Sequence, residues 1–324
     1  MHYRTLGHSG LKLSVIGLGS WLTFGNTVDQ SATRECVRIA YENGVTFFDT
    51  ASTYSKGKAE EVLGPILAEL PREQIVIGTK LFWPTGDTPN ERGLSRKHIR
   101  DEVYKSLERL KIEYIDLYQC HRYDDDTPIE ETCEMMNDLV RAGTILYWGV
   151  SEWNADQIAS AVNLCRVRGW SVPISNQPQY SALWRRIEER VLPTCERYGV
   201  GNVVWSPLAM GILTGKYTDA SHPPAGSRAA SQYREFMEDY FTQPILDAVG
   251  ELKPLAQEAG VSLAQLALAW TLREPAITSA IVGATNPSHV RDNVVAGDLH
   301  LDPAIFAEMD RILEPVSPHE PYTA

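Results

Sequence analysis

Three short apolar runs in the first 121 residues each end on a side chain that can ionise. Val45 to Phe48 leads to Asp49, Ile75 to Thr79 leads to Lys80, and Ile115 to Cys120 leads to His121. Tyr54 follows the aspartate by five residues. Carboxylate, phenol, ammonium and imidazole together are the parts of a proton-transfer site. A lysine closing a buried strand needs a partner, and Asp49 on the neighbouring run can supply one. A cation beside Tyr54 would lower the phenol from its usual value of about 10 and ready it to protonate an oxygen near neutral pH. His121, neutral and donating through one ring nitrogen, could orient or polarise the same oxygen. The set suits reduction of a carbonyl, with hydride to carbon and proton to oxygen. None of the four side chains supplies a hydride, so a nicotinamide cofactor is implied. Each residue also has a plainer reading: a structural ion pair, a satisfied core histidine, a packing tyrosine. Their convergence on consecutive strand ends is what favours chemistry.

The surrounding pattern says how they are brought together. Tyr3 to Leu6 and Leu11 to Ser14 flank a His-Ser-Gly turn and read as a β-hairpin. Val15 to Leu18 is a first buried strand, followed from about Ser31 by a helix that stops at Gly44. Strand and helix then alternate. Ser95 caps an amphipathic helix carrying Ile99, Val103, Leu107 and Leu110. Later strands are expected at Ile145 to Val150, Ile174 to Gln177, Val203 to Ser206 and Ser279 to Val282, with helices at Ile129 to Arg141, Ala155 to Arg168 and Ile187 to Tyr198. Ser262-Leu-Ala-Gln265 opens a further helix with a capping box, apolar nearly all round and therefore buried. Eight buried strands with helical crossovers predict an α/β fold, a closed (β/α)8 barrel of the TIM type with an N-terminal hairpin. In such a barrel the site lies at the carboxyl ends of the strands. The doubly wound alternative lacks its dinucleotide fingerprint: Gly17-Leu-Gly19 is followed by Leu22 and not by a third glycine.

The chain therefore reads as one domain over residues 1–324, with the hairpin at 1–14, a long Gly-, Pro- and Ser-rich loop at 208–243, and an extended tail at 314–324 that carries Pro315, Pro318 and Pro321. After the last strand, Asn286-Pro287 opens a helix with a good cap, and a helix N-terminus there is a common phosphate site. Lys216 and Arg228 in the long loop are candidate phosphate clamps. Phe82, Trp83 and Trp153 follow strands and could line a substrate pocket. Asp124 to Asp126 read as a solvated turn and not as a metal site. At net charge −12 and pI near 5.2, the chain is a poor match for nucleic acid or an anionic membrane. The first residues lack a secretory pattern, and five scattered cysteines fit reduced thiols, so a cytoplasmic location is expected.

DTASTYSKGKAEEVLG, TKLFW, GLSRKHI, YWGVSEW, WSPLAMGILTGKY and IVGATNPSHVRDN resemble the aldo-keto reductases, in family order and from about Tyr3 to Leu313. The closest likeness is to the branch holding voltage-gated potassium channel β-subunits and bacterial glyceraldehyde-phosphate and methylglyoxal reductases. The resemblance implies a (β/α)8 barrel that binds NADP(H) in extended form and reduces small aldehydes or ketones. It makes Asp49, Tyr54, Lys80 and His121 the catalytic tetrad, with Tyr54 as general acid. Trp21 would line the pocket mouth, with Trp83 beside it. Ser151 and Gln177 would hold the carboxamide, and Trp205 would stack on the nicotinamide. Ser206, Leu208, Lys216 and Arg228 would surround the pyrophosphate. Gly283, Thr285, His289, Asp292 and Asn293 would surround the adenosine end. Relatives form tetramers or larger rings, which allows a homo-oligomer here.

Two positions depart from the family pattern. Glu152 stands after Ser151 where many members have Asn, and a carboxylate can accept a hydrogen bond but cannot donate one. Gly283 to Val290 contains neither Arg nor Lys, which leaves Arg228 as the residue to meet a 2′-phosphate. A second reading is a cofactor-binding, redox-sensing subunit of a larger assembly with slow turnover. A third is a barrel isomerase or hydrolase using the same acid–base groups without hydride transfer.

Overall fold

The computed structural model describes residues 1–319. Strand β1 (Tyr3–Thr5) pairs antiparallel with β2 (Lys12–Ser14), Tyr3 lying opposite Ser14. Among the described residues, eight parallel strands then close into a barrel: β3 (Ile16–Gly19), β4 (Phe47–Asp49), β5 (Val76–Leu81), β6 (Ile115–Cys120), β7 (Ile145–Val150), β8 (Ser175–Asn176), β9 (Gly201–Trp205) and β10 (Ile277–Gly283). They neighbour one another in chain order, and β10 closes the ring by pairing with both β9 and β3. Helices α1 (Gln30–Glu42), α2 (Lys58–Leu67), α3 (Arg96–Leu110), α4 (Ile129–Arg141), α5 (Ala155–Arg168), α6 (Val191–Tyr198), α7 (Gln243–Glu258), α8 (Leu263–Leu272), α9 (Pro287–Val295) and α10 (Pro303–Leu313) lie along the chain between and after the strands. This is the (β/α)8 barrel with an N-terminal hairpin that the alternation predicts.

Local chemistry sets where the helices begin. Ser95 accepts from the His98 N–H at the start of α3. Asn154 with Gln157, and Ser262 with Gln265, form reciprocal capping boxes at α5 and α8. Each such cap contributes about 1 kcal/mol.

The barrel interior is polar at one end and apolar at the other, and the period of two along a strand makes it so. Phe47, Val76 and Leu117 are buried in one small cluster with Val203 and Ile281, closed from below by Leu6 and Leu13 of the hairpin segment. Two or four residues later on the same inward faces stand Asp49, Lys80 and His121. Gly17 on β3 makes room for this floor: a Cβ there would lie 2.7 Å from Phe47 Cδ1. A larger apolar layer packs the outer faces of the strands against the helices.

Several boundaries differ from the sequence expectation. Strand β8 shrinks to Ser175–Asn176 because Pro173 and Pro178 flank it and have no N–H for the ladder. Helix α6 starts at Val191, four residues late, because Pro193 is tolerated only in the first turn. The 208–243 segment is not structureless: it holds 3-10 turns at Ala209–Thr214, Arg228–Ala230 and Gln232–Met237. The tail does not leave α10 extended; a 3-10 turn at Glu314–Val316 follows directly. Pro321 falls outside the described residues. No described helix is long and apolar enough to cross a membrane.

Candidate active site

Lys80 is the centre of the barrel mouth. Its side chain is 0 % exposed and donates to Asp49 Oδ2 at 2.7 Å, to the Thr50 carbonyl at 2.6 Å and to the Tyr54 hydroxyl at 3.2 Å. An ammonium has three donors, so all are used. Burial is the largest single influence and pulls Lys80 down, but the charges of Asp49 and Tyr54 and the hydrogen bonds to both together outweigh it, and the net shift is upward. The lysine is therefore a fixed cation. Asp49 is held in turn by Gln177, whose Nε2 donates to Oδ1 at 2.9 Å.

Tyr54 sits on a 3-10 turn, Tyr54–Gly57, that follows β4. Contrary to the expectation of a lowered pKa, burial raises the phenol, and the opposing pull of Lys80 does not overcome it. The phenol is thus protonated near neutral pH, the form a general acid needs. His121 shows its edge to the Tyr54 ring, centroids 5.8 Å apart. Burial first, then Lys80 and Arg122, push its pKa well below the ordinary histidine value, so the ring is neutral. Its Nδ1 is buried without a hydrogen-bond partner among the described residues. An unsatisfied ring nitrogen beside a phenol fits a site made for a polar ligand.

A buried ionic cluster supports this turn, and the sequence reading missed it. Glu60, in the first turn of α2, accepts from Thr79 Oγ1 and from Arg109 Nε, while Arg109 Nη2 reaches Glu102. Gly57 has φ +87°, and a Cβ there would press on Arg109 Cδ at 3.0 Å. The cluster fixes the backbone three residues beyond Tyr54. Nothing in spacing alone marks Glu60 and Glu102 as buried, because charged residues on helices ordinarily face water.

The remaining sequence candidates divide into groups. Trp21, Trp205 and Arg228 meet on one side of the mouth: Trp21 lies edge-on to Trp205 at 6.1 Å and to Phe236 at 5.2 Å, with the Arg228 guanidinium 5.9 Å from the Trp21 ring. Arg228 also contacts Met210 Sδ, and Ser206 Oγ contacts the same sulfur. Burial lowers the Arg228 pKa, and neither Arg228 nor Lys216 has a carboxylate partner among the described residues. Leu208 opens the 3-10 turn beside them. Ser151 donates to the Gln177 carbonyl, so both proposed carboxamide holders are already linked to each other and to Asp49. Gly283, Thr285 and His289 are exposed around the start of α9, while Asn293 is buried. Asp292 is engaged elsewhere: it accepts from Ser262 Oγ and Gln265 Nε2 and so ties α9 to α8. Trp83, 38 % exposed, stands edge-on to His121 at 6.3 Å. Trp153 is core, packed on Tyr123. Asp124 pins a loop, accepting from the Leu94 N–H at 2.6 Å and from Thr127 Oγ1 at 2.7 Å.

Glu152 takes a role not legible in sequence. Its Oε1 accepts from the Trp205 indole N–H at 2.7 Å and from the Gln179 amide at 2.6 Å. The residue has φ +57°, in the left-handed region. So do Leu22, Ser55, Lys56, Ser206, Ala209 and Met210, all on segments leaving the carboxyl ends of barrel strands; among the described non-glycine residues only Lys111, a helix C-cap, does so elsewhere within that region. Each such residue costs on the order of 1 kcal/mol, and clustering of that strain on one rim marks it as the working face.

The aldo/keto reductase family model matches residues 15–314. The chain belongs to the aldo/keto reductase family. Among curated relatives, this aldo/keto reductase is 41% identical over 319 residues to a probable voltage-gated potassium channel subunit beta of Arabidopsis thaliana, covering 97% of each chain. It is 40% identical to the corresponding probable subunit of Oryza sativa subsp. japonica, again covering 97% of each. A putative voltage-gated potassium channel subunit beta of Schizosaccharomyces pombe is 40% identical over 321 residues, 96% of this chain and 93% of that one. Family membership supports an oxidoreductase activity.

Proposed function

We propose that the chain reduces aldehydes or ketones to alcohols with NADP(H). The observation that carries this reading is the wholly buried Lys80, bonded at once to Asp49 and to the Tyr54 hydroxyl beside a neutral His121. The residues fit the cofactor. Arg228 is a partly buried guanidinium without a counter-ion among the described residues, which suits a phosphate, and Lys216 is a second cation nearby, exposed to solvent. Trp205, its indole fixed by Glu152, would carry the nicotinamide, with Ser151 and Gln177 at its carboxamide. Ser206 and Leu208 would flank the pyrophosphate, and Gly283, Thr285, His289 and Asn293 the adenosine end.

When bound, the reduced nicotinamide supplies the hydride. The chain supplies the proton. Tyr54, held protonated by burial, gives its hydroxyl proton to the carbonyl oxygen. The phenolate left behind is stabilised by the Lys80 ammonium 3.2 Å away, and Asp49 keeps that ammonium charged. His121, neutral, donates to the same oxygen and sets the direction from which the carbonyl is approached. Trp21 and Trp83 form the mouth through which the substrate enters. Replacing Tyr54 by Phe tests the assignment: kcat should fall by about 10²- to 10⁴-fold while NADPH affinity stays within about twofold. Equal losses in both would make Tyr54 structural.

The relatives' names favour a second reading, a cofactor-binding subunit that modulates a partner protein and turns over slowly. Tight NADPH binding with no faster oxidation on adding aldehydes would favour it over the enzyme.

A further inference from the structure

Arg122 is a cation at the barrel mouth that neither the tetrad nor the proposed cofactor site uses. It follows His121 directly on the loop after β6. Its Nη1 donates to the His121 carbonyl at 2.5 Å, and its guanidinium lies 5.4 Å from the Trp83 ring centroid. The same Trp83 ring faces His121, so arginine, indole and imidazole line one wall. The side chain is half-buried, and no carboxylate pairs with it among the described residues. That is unexpected here, because the chain carries 42 acidic residues against 30 Lys and Arg. The nearest acid in sequence that could have neutralised it, Asp124, spends its oxygens on Leu94, Asp126 and Thr127. Those bonds also fasten the loop after β5, which carries Trp83, to the loop after β6.

We propose that Arg122 is a specificity-determining residue that gives this site a preference for carbonyl substrates bearing a carboxylate; the inference rests on the reductase reading above. One of the five guanidinium N–H groups is spent on the His121 carbonyl, which leaves a planar fork held close to the Trp83 ring. A planar carboxylate matches such a fork bidentately. One cation also balances a single negative charge better than a phosphate dianion. Arg122 lies close to the reacting groups, beside His121 and on the same Trp83 wall, and its charge adds to the lowering of His121 and works against the burial that raises Tyr54, so a substrate charge docked on it lies close to the chemistry. A compact molecule is therefore selected, with a short chain between carbonyl and carboxylate, such as a 2-oxo acid or a short semialdehyde.

The test compares matched substrates with the full-length protein and NADPH: 4-oxobutanoate against its methyl ester, and glyceraldehyde 3-phosphate against glyceraldehyde. Wild type should show kcat/KM about 10- to 100-fold higher for 4-oxobutanoate than for the ester, the range expected of a charge-assisted pair. Arg122→Gln should collapse that ratio to near one, and Arg122→Lys should restore it only in part because the fork is lost. NADPH affinity, measured by fluorescence on each variant, separates loss of recognition from loss of fold. A wild-type ratio near one, or an equal fall of both substrates in Arg122→Gln, overturns the proposal. A larger preference for the phosphorylated aldehyde overturns the carboxylate assignment. No turnover of any of the four overturns the reductase reading and the proposal with it, whereas turnover of the neutral pair alone overturns only the proposal.

Discussion

Removing the Lys80 ammonium should cost more stability than removing both charges. Lys80 is 0 % and Asp49 4 % exposed at the side chain, and they are joined at 2.7 Å. In Lys80→Met the Asp49 carboxylate keeps, among the described residues, one side-chain donor, Gln177 Nε2. Stranding one partner of a buried pair costs about 3–5 kcal/mol. Against an ordinary stability of about 5–15 kcal/mol, the variant folds but is visibly weakened. In Asp49→Asn/Lys80→Met no charge is stranded, and the double variant should be more stable than Lys80→Met by about 2 kcal/mol. The sign with pH follows. A carboxyl without its cation has its folded pKa raised above the unfolded value of about 3.9. It can escape the cost by taking a proton, so the deficit of Lys80→Met should shrink as pH falls and grow as pH rises. Urea denaturation of the four proteins at about pH 5.5 and pH 8 measures all of this. Additivity within about 0.5 kcal/mol would refute the reasoning, because it would mean that Asp49 does not sustain the lysine.

Two further expectations follow from the same geometry. His121 has a folded pKa well below its ordinary value, so the unfolded chain takes up the proton first as pH falls below about 6.5. Its contribution to stability is intact above that pH and is lost below it, by at most about 1.4 kcal/mol per pH unit; His121→Asn should lose less on acidification in matched urea titrations, and an unchanged acid slope would count against a buried neutral imidazole. Arg228→Met should weaken NADPH binding by about 10- to 100-fold and NADH binding much less, measured by fluorescence titration, if Arg228 meets the 2′-phosphate; equal weakening would move it to the pyrophosphate.

The parts of the site that lie on strands are the parts a reader of the sequence can place. Period two carries Phe47 to Asp49, Val76 to Lys80 and Leu117 to His121 onto one inward face, so the Asp49–Lys80 contact follows from register. The helix starts at Ser95, Asn154 and Ser262 are equally plain, since each is a side chain bonding its own neighbours. What depends on long-range contact is not readable. Cation proximity suggests a lowered Tyr54 pKa, yet desolvation wins, and its size is set by packing that no local pattern reveals. Glu152 reads as a misplaced carboxamide contact until Trp205, 53 residues away, is seen to donate to it. Asp292 looks like a cofactor ligand until the Ser262 cap reaches it. Arg122 looks like any surface arginine until it is seen beside Trp83 and His121, with no carboxylate paired to it among the described residues.

The most direct test of carbonyl reduction is a single-turnover experiment. The protein is saturated with NADPH, freed of excess, and mixed with a large excess of short-chain aldehydes while the absorbance of the reduced nicotinamide is followed. One equivalent should be oxidised rapidly in the wild type and about 10²- to 10⁴-fold more slowly in Tyr54→Phe, with the cofactor bound to both. NADPH that binds tightly and stays reduced, or is oxidised equally fast in the two proteins, would contradict the assignment of Tyr54 and its neighbours as a proton-transfer site.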